Sequence, residues 1–440
     1  MCQRYFVTAL RAGAVLAAVL ALAVGCMAGV KETVLYNFVG QPYGSNPNAT
    51  MISDGQGNFY GTDQGGVYNR GEVFELSPDA NGGWTVTTLY SFSGSTDGGY
   101  PKAGIIMDRQ GTLYGTTAEG GQIDPDSYCG SPTISGCGVV FELNKSNGVW
   151  HETVLYAFQG QTDGMNSWTS LTLHNGRIYG TTVEGGNGGP SPDCCFGSGT
   201  VFELVPSKNA SWTENVIYRF DSNGAGPAQP ETNVVFDKSG NVYGTTYWGT
   251  TNGECGGGGC GVVFELTPGG TTWPFSVLHN FTSQDGAYPM GNLTIDSHGN
   301  VYGATEAGGP MQGGVAFEVT AGTSGWTETV LHDFGENTDG AMPLAGLTLD
   351  THGNLYGSTF YGGGLGTCGS AWPPSTCGTV FALKPNSNGG WTEIILHRFS
   401  GGADGSLPIG GATLDPNGNV FGVTDSGGRN NSGTVFELSR

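Results

Sequence analysis

Residues 57–62 read Gly-Asn-Phe-Tyr-Gly-Thr, and the same six positions return six more times. They are GTLYGT from Gly111, GRIYGT from Gly176, GNVYGT from Gly240, GNVYGA from Gly299, GNLYGS from Gly353 and GNVFGV from Gly418. A second motif, VFEL or a close variant, recurs around Phe74, Phe141, Phe202, Phe264, Phe317, Phe381 and Phe436. A third, VLYxF or VLHxF with small variations, ends at Phe38, Phe92, Phe158, Phe220, Phe281, Phe334 and Phe399. Three motifs in seven copies make the repeat the first fact about the fold.

Each unit of 54 to 65 residues reads as four short strands, A to D. Alternating apolar positions, β-branched residues and Gly/Asn/Asp turns favour strands over helices. The 81 glycines follow no G-X-Y period, and they suit a turn-rich all-β chain. Four-stranded antiparallel units in series predict a β-propeller of seven blades. Blade 1 spans about 49–92, blade 2 about 103–158, blade 3 about 168–220, blade 4 about 231–281, blade 5 about 290–334 and blade 6 about 344–399. The phase is offset, because residues 31–38 read as a D strand and 410–438 as A, B and C strands. The two ends together predict blade 7, with the N-terminal strand at its rim, which protects an exposed strand edge.

These motifs resemble the GloVer-type tandem repeat of exported bacterial proteins, whose members differ in how they are anchored. The resemblance covers the chain from the first strand onward and implies a secreted repeat protein. It implies no activity. One departure lies at the seam, where Val30 occupies the place of the Trp that starts every other D strand.

Residues 1–28 read as a signal peptide: Arg4 and Arg11 precede the apolar run Ala12 to Val24. Cys26 is a lipidation candidate, and cleavage after Ala28 is the alternative. The expected location is the periplasm, outer membrane or extracellular space, with any membrane contact made through a lipid at the N-terminus. The net charge of −22 becomes more negative once the two arginines are removed. Nucleic acid is therefore not an expected partner.

Antiparallel connectivity places A–B and C–D turns on one face and B–C and D–A connections on the other. B–C connections are long in blades 2, 3, 4 and 6, and each long one carries a cysteine pair: Cys129/Cys137, Cys194/Cys195, Cys255/Cys260 and Cys368/Cys377. In an oxidising compartment these read as disulfides that brace their loops. For the adjacent Cys194 and Cys195, free thiols or pairing across loops stay open. Zinc at these cysteines is not expected, since four ligands would have to converge from different blades.

No G-x-S-x-G or H-E-x-x-H motif occurs, and the glycine runs do not open a helix. All seven histidines are assigned to D strands or A–B turns, away from the loop-rich face. The D–A connections repeat Asp-Gly at Asp97, Asp163, Asp285, Asp339 and Asp404. They read as turn residues, or as a ring of carboxylates able to hold Ca²⁺. No other cofactor is expected. Six tryptophans start D strands as packing residues, whereas Trp168, Trp248 and Trp372 map to the loop-rich face. Aromatic faces beside carboxylates suit sugars or peptides. The expectation is a monomeric, non-catalytic binding or scaffold propeller for a glycan or extracellular protein. The alternatives are a carbohydrate-active lyase or hydrolase using carboxylates at the mouth, and a purely structural surface protein.

Overall fold

A computed structural model describes residues 29–122, 129, 136–160, 162–186, 197–209, 211–220, 226–249, 254–270, 272–335, 339–368 and 376–439. Seven antiparallel sheets form the blades of a β-propeller, and the described residues hold no α-helix. Blade 1 is typical: strand A is Ile52–Ser53, B is Phe59–Asp63, C is Glu72–Pro78 and D is Trp84–Ser91, hydrogen-bonded in that order.

The repeated motifs follow from how these strands touch. The Gly of each Y-G-T lies directly opposite the Phe of strand C, as Gly61 does opposite Phe74. The Phe ring lies across that glycine, and a Cβ there would come within 2.4–2.7 Å of it in every blade. No larger residue fits without moving the ring. The D-strand Phe of one blade then meets the C-strand Phe of the next, edge to face at six interfaces and tilted at Phe334–Phe381. Ring centroids are 4.9–5.5 Å apart at all seven interfaces, from Phe38–Phe74 to Phe399–Phe436. These rings are almost wholly buried and form the middle layer of the core.

Nearer the axis, threonines tie neighbouring inner strands. Thr172 Oγ1 donates to the Val234 carbonyl at 2.6 Å, Thr348 Oγ1 to Ala412 at 2.7 Å, and Thr413 Oγ1 to Met51 at 2.6 Å. The last of these crosses from blade 7 to blade 1 and closes the ring.

Blade 7 is closed by the N-terminal strand, as the offset phase predicts. Lys31–Asn37 pairs antiparallel with Thr434–Ser439, so the first strand is the outermost strand of the last blade. Beside this seam blade 1 departs from the repeat. Where other blades place Thr–Thr or Thr–Val pairs (Thr359/Thr379, Thr117/Val139), blade 1 has Asp63 opposite Glu72. Both carboxyl groups are buried, and burial first, then the Glu72 charge, pushes Asp63 well above the usual carboxylate range.

Candidate mouth of the propeller

Each D–A connection drops from the rim to the axis through one local pattern. A buried Pro (Ser167 in blade 3) is followed by one residue that lines the axial cavity, then by a small residue that is buried in every blade but the fifth, where Gly291 is partly buried. The axial residues are Asn48, Lys102, Trp168, Glu231, Met290, Leu344 and Ile409, one from each blade. Together they line a cavity of roughly 280 Å³ on the face of the B–C and D–A connections. Blades 1 to 4 supply a polar and aromatic arc; blades 5 to 7 supply an apolar one.

Of the residues singled out in the sequence, Trp168 belongs to this ring. Lys102 Nζ lies over its indole ring at 4.0 Å, a cation–π contact. The indole N–H of Trp168 is buried with no hydrogen-bond partner. Loss of solvent lowers the Lys102 ammonium below the ordinary lysine range, opposed by Glu119, Glu231 and Glu184. Glu231 is pushed up to about 7, by burial first and then by Glu306, while Lys102 pulls it down. Glu306 accepts a hydrogen bond from Tyr247 at 3.0 Å, and the Tyr247 ring stacks on Tyr288 at 4.7 Å. A second hollow adjoins the mouth, lined by Gln64, Tyr100, Glu119, Asn166 and both partners of the Lys102–Trp168 contact.

Trp248 is used differently. Its indole N–H donates to Gln229 at 2.8 Å, and Gly258 packs so closely on its ring that a Cβ would lie 2.4 Å away. Gly258 belongs to the Cys255–Cys260 loop, so that loop clamps Trp248. Disulfides also join Cys129 to Cys137 and Cys368 to Cys377. Each of these two rests on a D–A turn glycine of its own blade, Gly160 or Gly401. Trp372, Cys194, Cys195 and Cys26 lie outside the described residues.

None of the five Asp-Gly aspartates lines the mouth cavity. Each accepts hydrogen bonds from the backbone of its own turn, as Asp163 does from Gln159 N at 2.8 Å and Asp404 from Ser400 N at 2.8 Å. Their second partner is the aromatic or imidazole near the end of strand D. Tyr90 donates to Asp97 at 3.1 Å and Tyr156 to Asp163 at 2.7 Å. His279, His332 and His397 approach Asp285, Asp339 and Asp404 at 3.2, 3.1 and 3.5 Å. This corrects the placement of the histidines: three of them reach the D–A turns of the loop-rich face, because the turn folds back over the end of strand D.

A family model described as the Gloeobacter/Verrucomicrobia repeat matches residues 26–191, 127–372 and 256–440. The chain belongs to this repeat family. No curated protein matches the sequence. Among solved structures, an ulvan lyase from a new family of polysaccharide lyases is similar at TM-score 0.53 and 10% identity, over 92% of this chain and 95% of that one. A protein from Lactobacillus plantarum is similar at TM-score 0.50 and 12% identity, over 87% and 89%. At these identities the likeness is one of fold. No described helix is long and apolar enough to cross a membrane. The three disulfides suit an oxidising compartment, outside the cytoplasm.

Proposed function

We propose that this member of the repeat family is an exported, non-catalytic binding propeller of the cell envelope whose mouth takes a carbohydrate. One observation carries the reading. Seven equivalent positions, held by a fixed scaffold of Pro and small residues, bear seven different side chains that converge on one cavity. A packing role would favour one residue type at all seven positions, whereas recognition needs them to differ. The ring is polar and aromatic on one side and apolar on the other. A sugar has the same division, with C–H faces and hydroxyl edges. Glu231, Glu306, Glu184 and Glu119 around a single lysine favour a neutral or cationic glycan over an anionic one.

The test is a glycan array with the full chain, its Trp168→Ala variant and its Glu231→Gln variant. The wild type binds neutral glycans, and Trp168→Ala weakens binding about tenfold or more. Equal binding by Trp168→Ala would overturn the assignment to the mouth. Binding confined to anionic glycans would overturn the ligand class.

A second reading rests on Glu231. A carboxyl group held at about 7 inside a concave mouth is placed to exchange protons at neutral pH. Release of shortened glycans, abolished in Glu231→Gln, would make the protein a carbohydrate-active enzyme.

A further inference from the structure

The outer layer of the blade interfaces carries a second repeated constellation. In five interfaces a glutamate two residues after the D-strand Trp (after Val30 in the first strand) faces the Asp-Gly turn of the preceding blade. These residues are Glu32, Glu152, Glu214, Glu328 and Glu393. In each, Oε1 is buried and has no hydrogen-bond partner. The remaining two interfaces replace the glutamate with Val86 or Phe275, and Phe275 stacks on Tyr218 at 4.5 Å.

In two of the five, an imidazole and two carboxylates draw close together. At the interface of blades 4 and 5, His279, Asp285 and Glu328 bring one ligand atom each to within 4.8 Å of one another. At that of blades 5 and 6, His332, Asp339 and Glu393 do the same. In the second group His332 Nε2 lies 3.1 Å from Asp339 Oδ2 and 3.8 Å from Glu393 Oε1. Ligand atoms about 2.0–2.2 Å from a tetrahedral Zn²⁺ are roughly 3.3–3.6 Å apart, a range that the two His332 distances already bracket.

The supporting shell is also built. Asp285 uses Oδ1 to accept from the Thr282 backbone N–H at 2.7 Å and from its hydroxyl at 3.0 Å, leaving Oδ2 toward His279. Asp339 holds the Gly335 N–H with Oδ1 at 3.2 Å and turns Oδ2 to His332. Such outer hydrogen bonds orient a ligating carboxylate. A divalent cation bound there would tie adjacent blades together.

We propose that His279/Asp285/Glu328 and His332/Asp339/Glu393 are two inter-blade binding sites for a divalent transition-metal ion of the Zn²⁺ class. Nitrogen and oxygen donors in this ratio suit borderline ions better than Ca²⁺, which takes oxygen ligands. Water completes the coordination from the partly exposed side. The seam group of His397, Asp404 and Glu32 has the same residue types in a wider arrangement, with 3.5 Å between His397 and Asp404. The exposed His298 and His352 each approach a single aspartate and supply too few ligands.

The repeat itself provides the control. Tyr stands in the histidine's place in blades 1 and 2, where it donates to the same aspartate, so His279→Tyr and His332→Tyr copy an arrangement the fold already uses. The full chain is stripped with chelator, dialysed and titrated with Zn²⁺ against a chromophoric competitor; Co²⁺ is followed by its visible spectrum. Each single variant is expected to lose one equivalent of Zn²⁺ and the double variant two, with the tetrahedral Co²⁺ spectrum about halved in each single variant and absent from the double variant. Thermal unfolding without metal checks that the variants are folded, and added Zn²⁺ raises the midpoint of the wild type and not of the double variant. No stoichiometric Zn²⁺ in the wild type, or equal binding by wild type and double variant, overturns the proposal.

Discussion

The middle and outer layers of the blade interfaces obey different rules. The middle layer is the same seven times: a Phe from strand D against a Phe from strand C, over a glycine that admits nothing larger. In the outer layer there are three solutions. Two interfaces are apolar, two pair Tyr with Asp and Glu, and three substitute His for Tyr. Burying aromatic area stabilises every interface alike, so that layer has no reason to diverge. A charged layer gains little net stability from its pairs, because desolvation offsets attraction. It can therefore vary without loss of the fold, and it can acquire chemistry.

The sharpest way to break this contrast is to damage the constant layer. Phe317→Ala should cost about 3–5 kcal/mol in denaturant unfolding, through lost burial and the cavity left beside Phe281 and Gly303. A cost under 1 kcal/mol would show that the Phe layer is not what holds blades together. Next is Phe275→Glu, which imposes the acidic solution on an apolar interface where it would face Tyr218. We expect a loss of about 2 kcal/mol at pH 8, smaller at pH 5 where the new carboxyl is protonated.

The seam pair comes third. The folded state raises the Asp63 and Glu72 pKa values, so the pair's contribution to stability is fully present below the unfolded carboxylate values and is lost as pH rises through the folded ones. Asp63→Thr with Glu72→Val restores the pair found in blade 2 and should raise the unfolding midpoint at pH 9 relative to wild type, with little change at pH 5. An unchanged difference between the two pH values would remove the pair from the account. The smallest effect belongs to the Tyr interfaces. Burial first, then Asp97 or Asp163, raises Glu152 and Glu214 to about 7. Stability is lost between the unfolded value of 4.5 and that value, so Glu152→Gln with Glu214→Gln should flatten the pH 5 to 8 decline by about 2 °C. These carboxylates are partly hydrated, which keeps the figure low.

The fold was legible because its signals repeat. A motif returning seven times fixes strand order, blade number and the offset that closes the ring, and the cysteine pairs fall in register with the long B–C loops. The mouth was much less so. Asn48, Lys102, Glu231, Met290, Leu344 and Ile409 share no residue type, and only the flanking Pro and small residues mark them as equivalent. The D-G-x-x-Pro turn was visible, but the residue after Pro has the importance there because it differs between blades. The rim clusters were hidden for a geometric reason. Tyr or His and its Asp are six or seven residues apart in every case, yet that spacing means contact only if the turn folds back over its own strand. The glutamate that completes each group comes from the next blade, a distance no local pattern encodes.

The pairing of Lys31–Asn37 with Thr434–Ser439 sets an order on biosynthesis. Of the propeller's strands, the first to be synthesised has no partner until the last one arrives. Through that interval the nascent chain keeps an open edge at each end, and any product halted early keeps them permanently. A cell could sort finished propellers from unfinished ones by that edge alone, since completion hides it. A protease or chaperone that recognises unpaired strands would pass over the finished ring and act on every shorter version.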